Sequence, residues 1–174
     1  MSEYLCNDIE IGDRLELGNP FGEMLLTTPM PAHLLLLAAG SGITPMMSQI
    51  RTLARIGMPA AVTLIYWEKT TDDFNFKKEL LSIAQQYNNF NINLVTTRET
   101  NESLISGRIS HEFLSQIVNI DSVEQVFACG ASGFVKAATS ICGLRELPIL
   151  SEAFTPSQAQ ATNTDVVQYD VYLR

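Results

Sequence analysis

Six consecutive residues, Gly40-Ser41-Gly42-Ile43-Thr44-Pro45, combine what a phosphate site needs. Gly40 and Gly42 have no Cβ, so the chain can turn sharply there and lie close to a ligand. Thr44 is expected to cap a new helix with its hydroxyl, and Pro45 to take the first helical position, where no N–H is required. The N–H groups and dipole of a fresh helix N-terminus attract a phosphate. The pattern is not Gly-x-Gly-x-x-Gly, because Pro45 stands where the third glycine belongs, and no Gly-Lys-Ser/Thr follows as in a Walker loop. Taken alone, it fits any tight strand-to-helix turn equally well.

Three further groups carry chemistry. Cys129 closes the apolar run Val126-Phe127-Ala128 and is followed by Gly130, at the carboxyl end of an expected strand, where open α/β sheets bind ligands. A free cysteine is otherwise a small buried hydrophobe, and that reading suffices for Cys142 and Cys6. Glu152 and Phe154 follow another apolar run; by themselves they read as an exposed acid and as a core or stacking ring. Arg98 and Arg108 offer the fixed, forked cation that a sugar phosphate needs, although Arg98 reads equally well as a solvated arginine. Trp67, Glu68 and Lys69 end a strand, where they either border a ligand or close a sheet edge. His33 and His111 read as structural or capping residues.

The elements that must position these groups alternate. Short apolar runs at 34–39, 61–67, 91–97, 124–129 and 147–150 read as strands, and helical patterns lie near 45–57, 74–87, 110–118 and 132–143. Leu34-Leu35-Leu36-Leu37-Ala38-Ala39 is apolar without alternation, as a strand buried on both faces must be. Strands alternating with helices imply an α/β fold: a five-stranded parallel sheet with helices on both faces. Gly57-Met58-Pro59 ends the first helix. Asp72 or Asp73 is expected to cap the second, with Phe76, Leu80, Leu81 and Ala84 as its inward stripe.

The two ends differ. Residues 9–27 alternate like antiparallel strands with two turns, 155–165 form a polar linker, and Val166 onward starts a strand that stops at Arg174. The chain thus reads as a piece of a longer protein, divided at 1–29, 30–154 and 155–174.

Composition narrows the setting. With 174 residues, 46% of them hydrophobic and 17% charged, the chain has a core for one domain with appendages. No apolar run approaches the ~20 residues that span a bilayer, and no basic leader precedes one. Cys6, Cys129 and Cys142 form no metal or redox pattern, which suits a reducing cytoplasm. Nineteen acids against eleven bases give −8, disfavouring nucleic acid and anionic membranes as partners.

Four segments in order resemble the NAD(P)-binding domain of the ferredoxin–NADP reductase-like flavoprotein reductases, over about residues 2–154. They are Gly40 to Pro45; Val126 to Phe134, like the family's Cys-Gly-Pro turn; Glu152-Ala153-Phe154, like its Glu-x-Phe; and Gly12-Asp13-Arg14-Leu15-Glu16-Leu17 with Pro20-Phe21-Gly22, like the last strand of its flavin-binding barrel and the turn after it. The resemblance implies that backbone N–H groups of Gly42, Ile43 and Thr44, within a turn that includes Gly40, Ser41 and Pro45, cradle a pyrophosphate. It places Cys129 beside the nicotinamide with Glu152 nearby as catalytic groups, and Gly130, Ala131, Phe134 and Phe154 against the cofactor. Thr97-Arg98-Glu99-Thr100 with Gly107-Arg108-Ile109 resembles the Ser-Arg-Glu-Thr…Gly-Arg-Ile stretch of NADPH-using bacterial members. That stretch leans the reading to NADPH over NADH, with Thr97, Arg98 and Arg108 at the 2′-phosphate.

The implied enzyme passes hydride from NAD(P)H to FAD or FMN and then electrons to an iron–sulfur centre or partner protein. Departures matter as well. Ala131 replaces the family's proline, which implies a looser turn, and the Arg-x-Tyr-Ser flavin motif and the Cys-x4-Cys-x2-Cys iron–sulfur run are absent from this chain. Residues 166–174 lie where a 2Fe-2S ferredoxin-like domain begins in fused members, implying flavin, nucleotide and iron–sulfur modules in that order. This piece alone is expected to bind NAD(P)H weakly and turn over poorly. Two rivals stay open: a non-catalytic nucleotide-binding or electron-transfer subunit docking on a separate partner, and an α/β domain for another phosphate ligand.

Overall fold

The computed structural model describes residues 2–18, 22–100, 105–154 and 166–168. In chain order its elements are α1 (Ser2–Asn7), β1 (Glu16–Gly18), β2 (His33–Ala39), α2 (Ile43–Arg55), β3 (Ala61–Glu68), α3 (Lys77–Gln86), β4 (Phe90–Thr96), β5 (Ile105–Ser106), α4 (His111–Ile117), β6 (Gln125–Ala131), α5 (Ser132–Gly143), β7 (Ile149–Phe154) and β8 (Val166–Gln168). They fall into two compact units, Met1–Gly22 with Ser157–Arg174, and Glu23–Pro156. Among the described residues no helix is long and apolar enough to cross a membrane.

The smaller unit departs from its expected alternation. Within the described part of 9–27, only Glu16–Gly18 is a strand. The reason is local: the Asp13 carboxylate accepts from the Tyr4 hydroxyl at 2.6 Å and the Glu10 N–H at 2.9 Å, which folds residues 10–13 into a turn. Val166–Gln168 does not stand alone either; it pairs antiparallel with β1, Glu16 facing Gln168. The rest of 166–174 lies outside the described residues, as do Pro20 and Phe21 of the barrel-like segment.

The larger unit holds one parallel sheet in the order β5-β4-β3-β2-β6-β7. It has six strands where the sequence shows five. The extra one, β5, is a two-residue edge strand on Val95 and Thr96, too short to carry a period. Helices cover both faces, as the apolar runs require. Leu34, Leu36 and Ala38 of β2 pack with Met46, Met47, Ile50 and Leu53 of α2, while Leu35 and Leu37 pack with Ala138 and Ile141 of α5 and Leu114 of α4. Each fully buried leucine is worth about 1.5–3 kcal/mol, so β2 anchors the sheet and fixes where its carboxyl end falls.

Several boundaries shift. β6 runs on to Ala131, and β7 includes Glu152 to Phe154, so these residues are strand and not turn. Ser132 opens α5 directly after Ala131, leaving no loop there to be loose. Thr70 is the N-cap of the short 3-10 turn Thr71–Asp73, in a reciprocal box with Asp73, and α3 starts only at Lys77 with Phe76 as its N-cap, so neither Asp72 nor Asp73 caps it. Of the expected α3 stripe, Leu80 is buried, but Phe76 and Leu81 are exposed.

Candidate functional site

The glycine turn is built by two different constraints. Gly40 has φ +58°, a left-handed conformation that glycine enters without strain. Gly42 is needed for space: a Cβ there would lie 2.0 Å from the Cys129 carbonyl oxygen. The start of α2 therefore rests on the carboxyl end of β6. Gly40–Gly42 form a 3-10 turn and α2 begins at Ile43, so Gly42 is the N-cap, with no side-chain cap. Thr44 is already helical and its hydroxyl donates to the Ser41 carbonyl at 2.9 Å. Thr44 is thus not the cap, and Pro45 sits two positions further in than expected, still within the first turn, where its missing N–H leaves no bond unmade. The Ile43 N–H donates back to the Gly40 and Ser41 carbonyls, and Ile43 and Gly42 are buried. Only Gly40 and Ser41 of the six reach the cleft beside them.

That cleft encloses about 650 Å³ at the carboxyl ends of the strands. Ala39 lines it from the end of β2, Gly40 and Ser41 from the turn that follows, Trp67 and Glu68 from β3, and Lys69 and Thr97 from just after β3 and β4. Arg108 and Ile109 follow β5, Ala131, Gly133, Phe134 and Ala137 belong to the β6–α5 junction, and Phe154 ends β7. The lining thus comes from β2, β3, β6 and β7 and from the segments that follow the strands, as expected of a ligand crevice in an open parallel sheet.

Side chains alternate along β3 and divide the labour there. Trp67 is 3% exposed and packs between Phe113, centroids 5.7 Å apart, and Phe134, edge-on at 5.2 Å. Its Nε1 has no hydrogen-bond partner among the described residues. Tyr66, on the other face, donates to the Glu68 carboxylate at 2.7 Å; burial, then this bond, pushes the phenol pKa up. Thr97 and Arg98 are clamped to β3 by backbone bonds, from Thr97 N–H to the Glu68 carbonyl at 2.9 Å and from Arg98 N–H to the Lys69 carbonyl at 3.0 Å. The Glu99 carboxylate accepts from the Thr71 N–H at 2.7 Å and holds the same loop.

Of the sequence-derived site residues, the structure gathers Gly40, Ser41, Thr97, Arg108, Ala131, Phe134 and Phe154 around the cleft. Arg98 is exposed but does not line it; the cations that do are Arg108 and Lys69. Gly130 is buried and does not line it, because its bare Cα lets β6 pass Ala39, whose Cβ would be 2.9 Å from an added one.

Cys129 is the larger departure. Its side chain is 0% exposed and belongs to the apolar cluster of Leu36, Ala38, Ile43 and Met46, on the α2 face of the sheet. Burial, and then the Glu152 charge, pushes its thiol up to about 11, so it is protonated at neutral pH. Glu152 is its register partner on β7 and is exposed.

Sequence reasoning did not single out Ala39, Ile109, Gly133 and Ala137 as site residues. Ala39 was accessible from the rule that strand ends bind; Gly133 and Ala137, four apart on α5, share a helix face, a signal visible only once α5 was placed. His33 and His111 are structural: the ring of His33 bridges Ser122 and Thr63 at 3.0 and 2.9 Å, and His111 accepts from Arg145.

A family model described as the oxidoreductase NAD-binding domain matches residues 36–140. NADH oxidoreductase HCR of Escherichia coli (strain K12) is 33% identical over 134 residues, which are 77% of this chain and 39% of that protein. The ferredoxin reductase component of 3-ketosteroid-9-alpha-monooxygenase from Mycobacterium tuberculosis is 33% identical over 147 residues, 84% of this chain and 39% of that one. The crystal structure of flavohemoglobin from Malassezia yamatoensis with bound FAD and heme superposes with a TM-score of 0.67 at 26% identity, over 79% of this chain and 36% of that one. The chain thus spans about two-fifths of the length of these relatives. A parallel sheet that opens one cleft at its strand ends, a glycine turn at the cleft's edge and these matches lead to one assignment: the chain belongs to the oxidoreductase NAD-binding domain family, within the ferredoxin reductase-like flavoprotein reductases.

Proposed function

We propose that this chain holds NAD(P)H for a flavin-dependent oxidoreductase, residues 30–154 being the nucleotide domain and 1–29 and 155–174 parts of flanking modules. The flavin, FAD or FMN on a barrel outside residues 30–154, supplies the hydride acceptor, and its electrons go on to an iron–sulfur centre or partner protein. The observation that carries this reading is the cleft itself, lined by residues at or just beyond the carboxyl ends of the six strands. The residues present fit a dinucleotide: a glycine turn for phosphates, the aromatic residues Trp67, Phe134 and Phe154, and the cations Lys69 and Arg108.

In this reading Gly40 and Ser41 meet the pyrophosphate, and Trp67 and Phe134 border the adenosine. Lys69, Arg108 and the Thr97 hydroxyl surround the 2′-phosphate of NADPH, with Arg98 adding only long-range charge. The nicotinamide lies towards the β6–β7 pair. Glu152 presents its carboxylate there, whereas Cys129 contributes a neutral, enclosed thiol that sets the shape of the strand end. Titration of the purified chain with NADPH, NADH and ATP tests this. NADPH should bind more tightly than NADH, and both more tightly than ATP. Tight binding of ATP alone would assign the cleft to another phosphate ligand.

A further inference from the structure

Arg108 reaches the cleft from a segment that is pinned at both ends. On one side the Gly107 N–H donates to the Thr96 carbonyl of β4 at 3.0 Å. On the other, the Ser110 hydroxyl accepts from the Phe113 N–H at 3.1 Å and caps α4. Between the pins lie Arg108, exposed on the cleft, and Ile109, packed against the cluster that contains Trp67. α4 then brings the Phe113 ring back over Gly107. A Cβ there would stand 3.1 Å from Cε2 and 3.2 Å from Cδ2 of that ring, inside the 3.4–4 Å of ordinary contact. Phe113 rests in turn on Trp67, centroids 5.7 Å apart, and Trp67 is buried, so the ring has little room to retreat. Gly107 also has φ +148°, a conformation that residues with a Cβ rarely adopt.

We infer that Gly107 is a positioning residue for Arg108: its bare Cα, seated under the Phe113 ring, sets where the guanidinium stands in the cleft and with it the preference for NADPH over NADH. This rests on the proposal that Arg108 meets the 2′-phosphate and extends it to the backbone that aims the cation. A guanidinium grips a phosphate through a planar fork, so its contribution depends on where the fork points as well as on its charge. Lys69, the other cation on the cleft, is a point charge on a flexible stem and makes no such demand. A methyl at 107 would meet a braced ring and an unfavourable φ together. What yields is the short backbone between the pins, and the fork moves with it.

The test measures NADPH and NADH affinities by calorimetry for the wild-type chain, Gly107→Ala, Arg108→Ala and the double variant. Gly107→Ala should weaken NADPH about fivefold and NADH less than about twofold, a smaller selective loss than removal of the Arg108 side chain brings. In the Arg108→Ala background the same substitution should cost NADPH no more than it costs NADH, because a residue acting through another loses its effect once that other is gone. Equal losses for the two nucleotides would overturn the inference, and so would a selective NADPH loss that persists without Arg108. Where Gly107→Ala folds poorly, Phe113→Leu decides: it removes the brace and leaves the backbone at 107 as it is. The NADPH-to-NADH affinity ratio should then fall only while Arg108 is present, and an unchanged ratio would overturn the inference. A chain that binds neither nucleotide would overturn the dinucleotide reading, and an Arg108→Ala chain with the wild-type ratio the place of Arg108 in it, each taking the inference along. A ratio that answers to Arg108→Ala but not to Gly107→Ala overturns the inference alone.

Discussion

Gly42→Ala should be among the most damaging single-methyl changes in the larger unit, and its cost can be worked from the contact between α2 and β6. The added Cβ would lie 2.0 Å from the Cys129 carbonyl oxygen, 2.4 Å from its carbon and 2.9 Å from the Gly130 nitrogen, whereas real Cβ contacts essentially never fall below 3.0 Å. Relief needs a shift of about 1 Å, and the obstructing atoms are backbone, so no rotamer change can supply it. Neither side gives easily: β6 is paired on both edges, to β2 and β7, and Ile43 and Met46 of α2 are 1% and 0% exposed.

Overpacking of this kind costs about 1–3 kcal/mol, and backbone against backbone belongs at the upper end, lowering the melting temperature by roughly 6–12 °C for a chain of this size. Gly40→Ala is the control. It forces alanine to φ +58° but meets nothing within 4 Å, so it should cost only the left-handed backbone term of about 1–2 kcal/mol. Thermal unfolding followed by circular dichroism and Trp67 fluorescence reads both. A Gly42→Ala chain as stable as wild type, or a Gly40→Ala chain that loses more, would refute the claim that α2 is seated on β6 through this glycine.

Arg108→Ala should weaken NADPH about tenfold and NADH hardly at all, while Arg98→Ala should change their ratio less than threefold, since charge-assisted bonds are strong and remote surface charges are not; paired titrations check this, and the reverse order would return the 2′-phosphate to Arg98. With Ellman's reagent at pH 8, Cys6 should react at once and the buried Cys129 and Cys142 only on unfolding. Burial raises both buried thiols from 9.0 to about 11. The folded state therefore keeps protons that the unfolded chain releases, so their contribution to stability is complete below pH 9 and lost as pH rises through 11. Denaturation midpoints measured across that window should fall, and fall less in Cys142→Ala.

What was legible in the sequence follows from how each element is buried. β2, β3 and β6 are enclosed on both faces, which demands continuous apolar runs, and those runs stand out. β5 has two residues and no period to detect. At Cys129-Gly130-Ala131 the glycine reads as a turn, yet pairing with Glu152, Ala153 and Phe154 holds the backbone extended, a tertiary effect that no local residue type announces. The place of the cleft was readable because ligands gather at strand ends. Which side chain enters it was not. Thr97 lines the cleft and Arg98 does not, although they are neighbours, because the chain bends directly after β4 and no period carries over from the strand.

The alternation of side chains along a strand changes what Cys129 means. On β6, Ala128 joins the cluster that contains Trp67, and Cys129 joins the one under α2, so a one-residue register shift would have exchanged them. The register is fixed by β2, where Ala38 faces Cys129, and by β7, where Glu152 does. With the thiol enclosed, its carbonyl is the atom that approaches Gly42, and the bare Cα of Gly130 lets the strand pass Ala39. A cysteine–glycine pair at this point therefore does two structural tasks at once: a small side chain fills the space under α2, and a missing one lets β6 pass close to the end of β2 and to Phe134. A residue larger than cysteine at 129 would push α2 away from the sheet and move Gly40 and Ser41, which meet the cleft directly. If the cleft holds a dinucleotide as proposed, the influence of this position on it runs through the placement of the glycine turn.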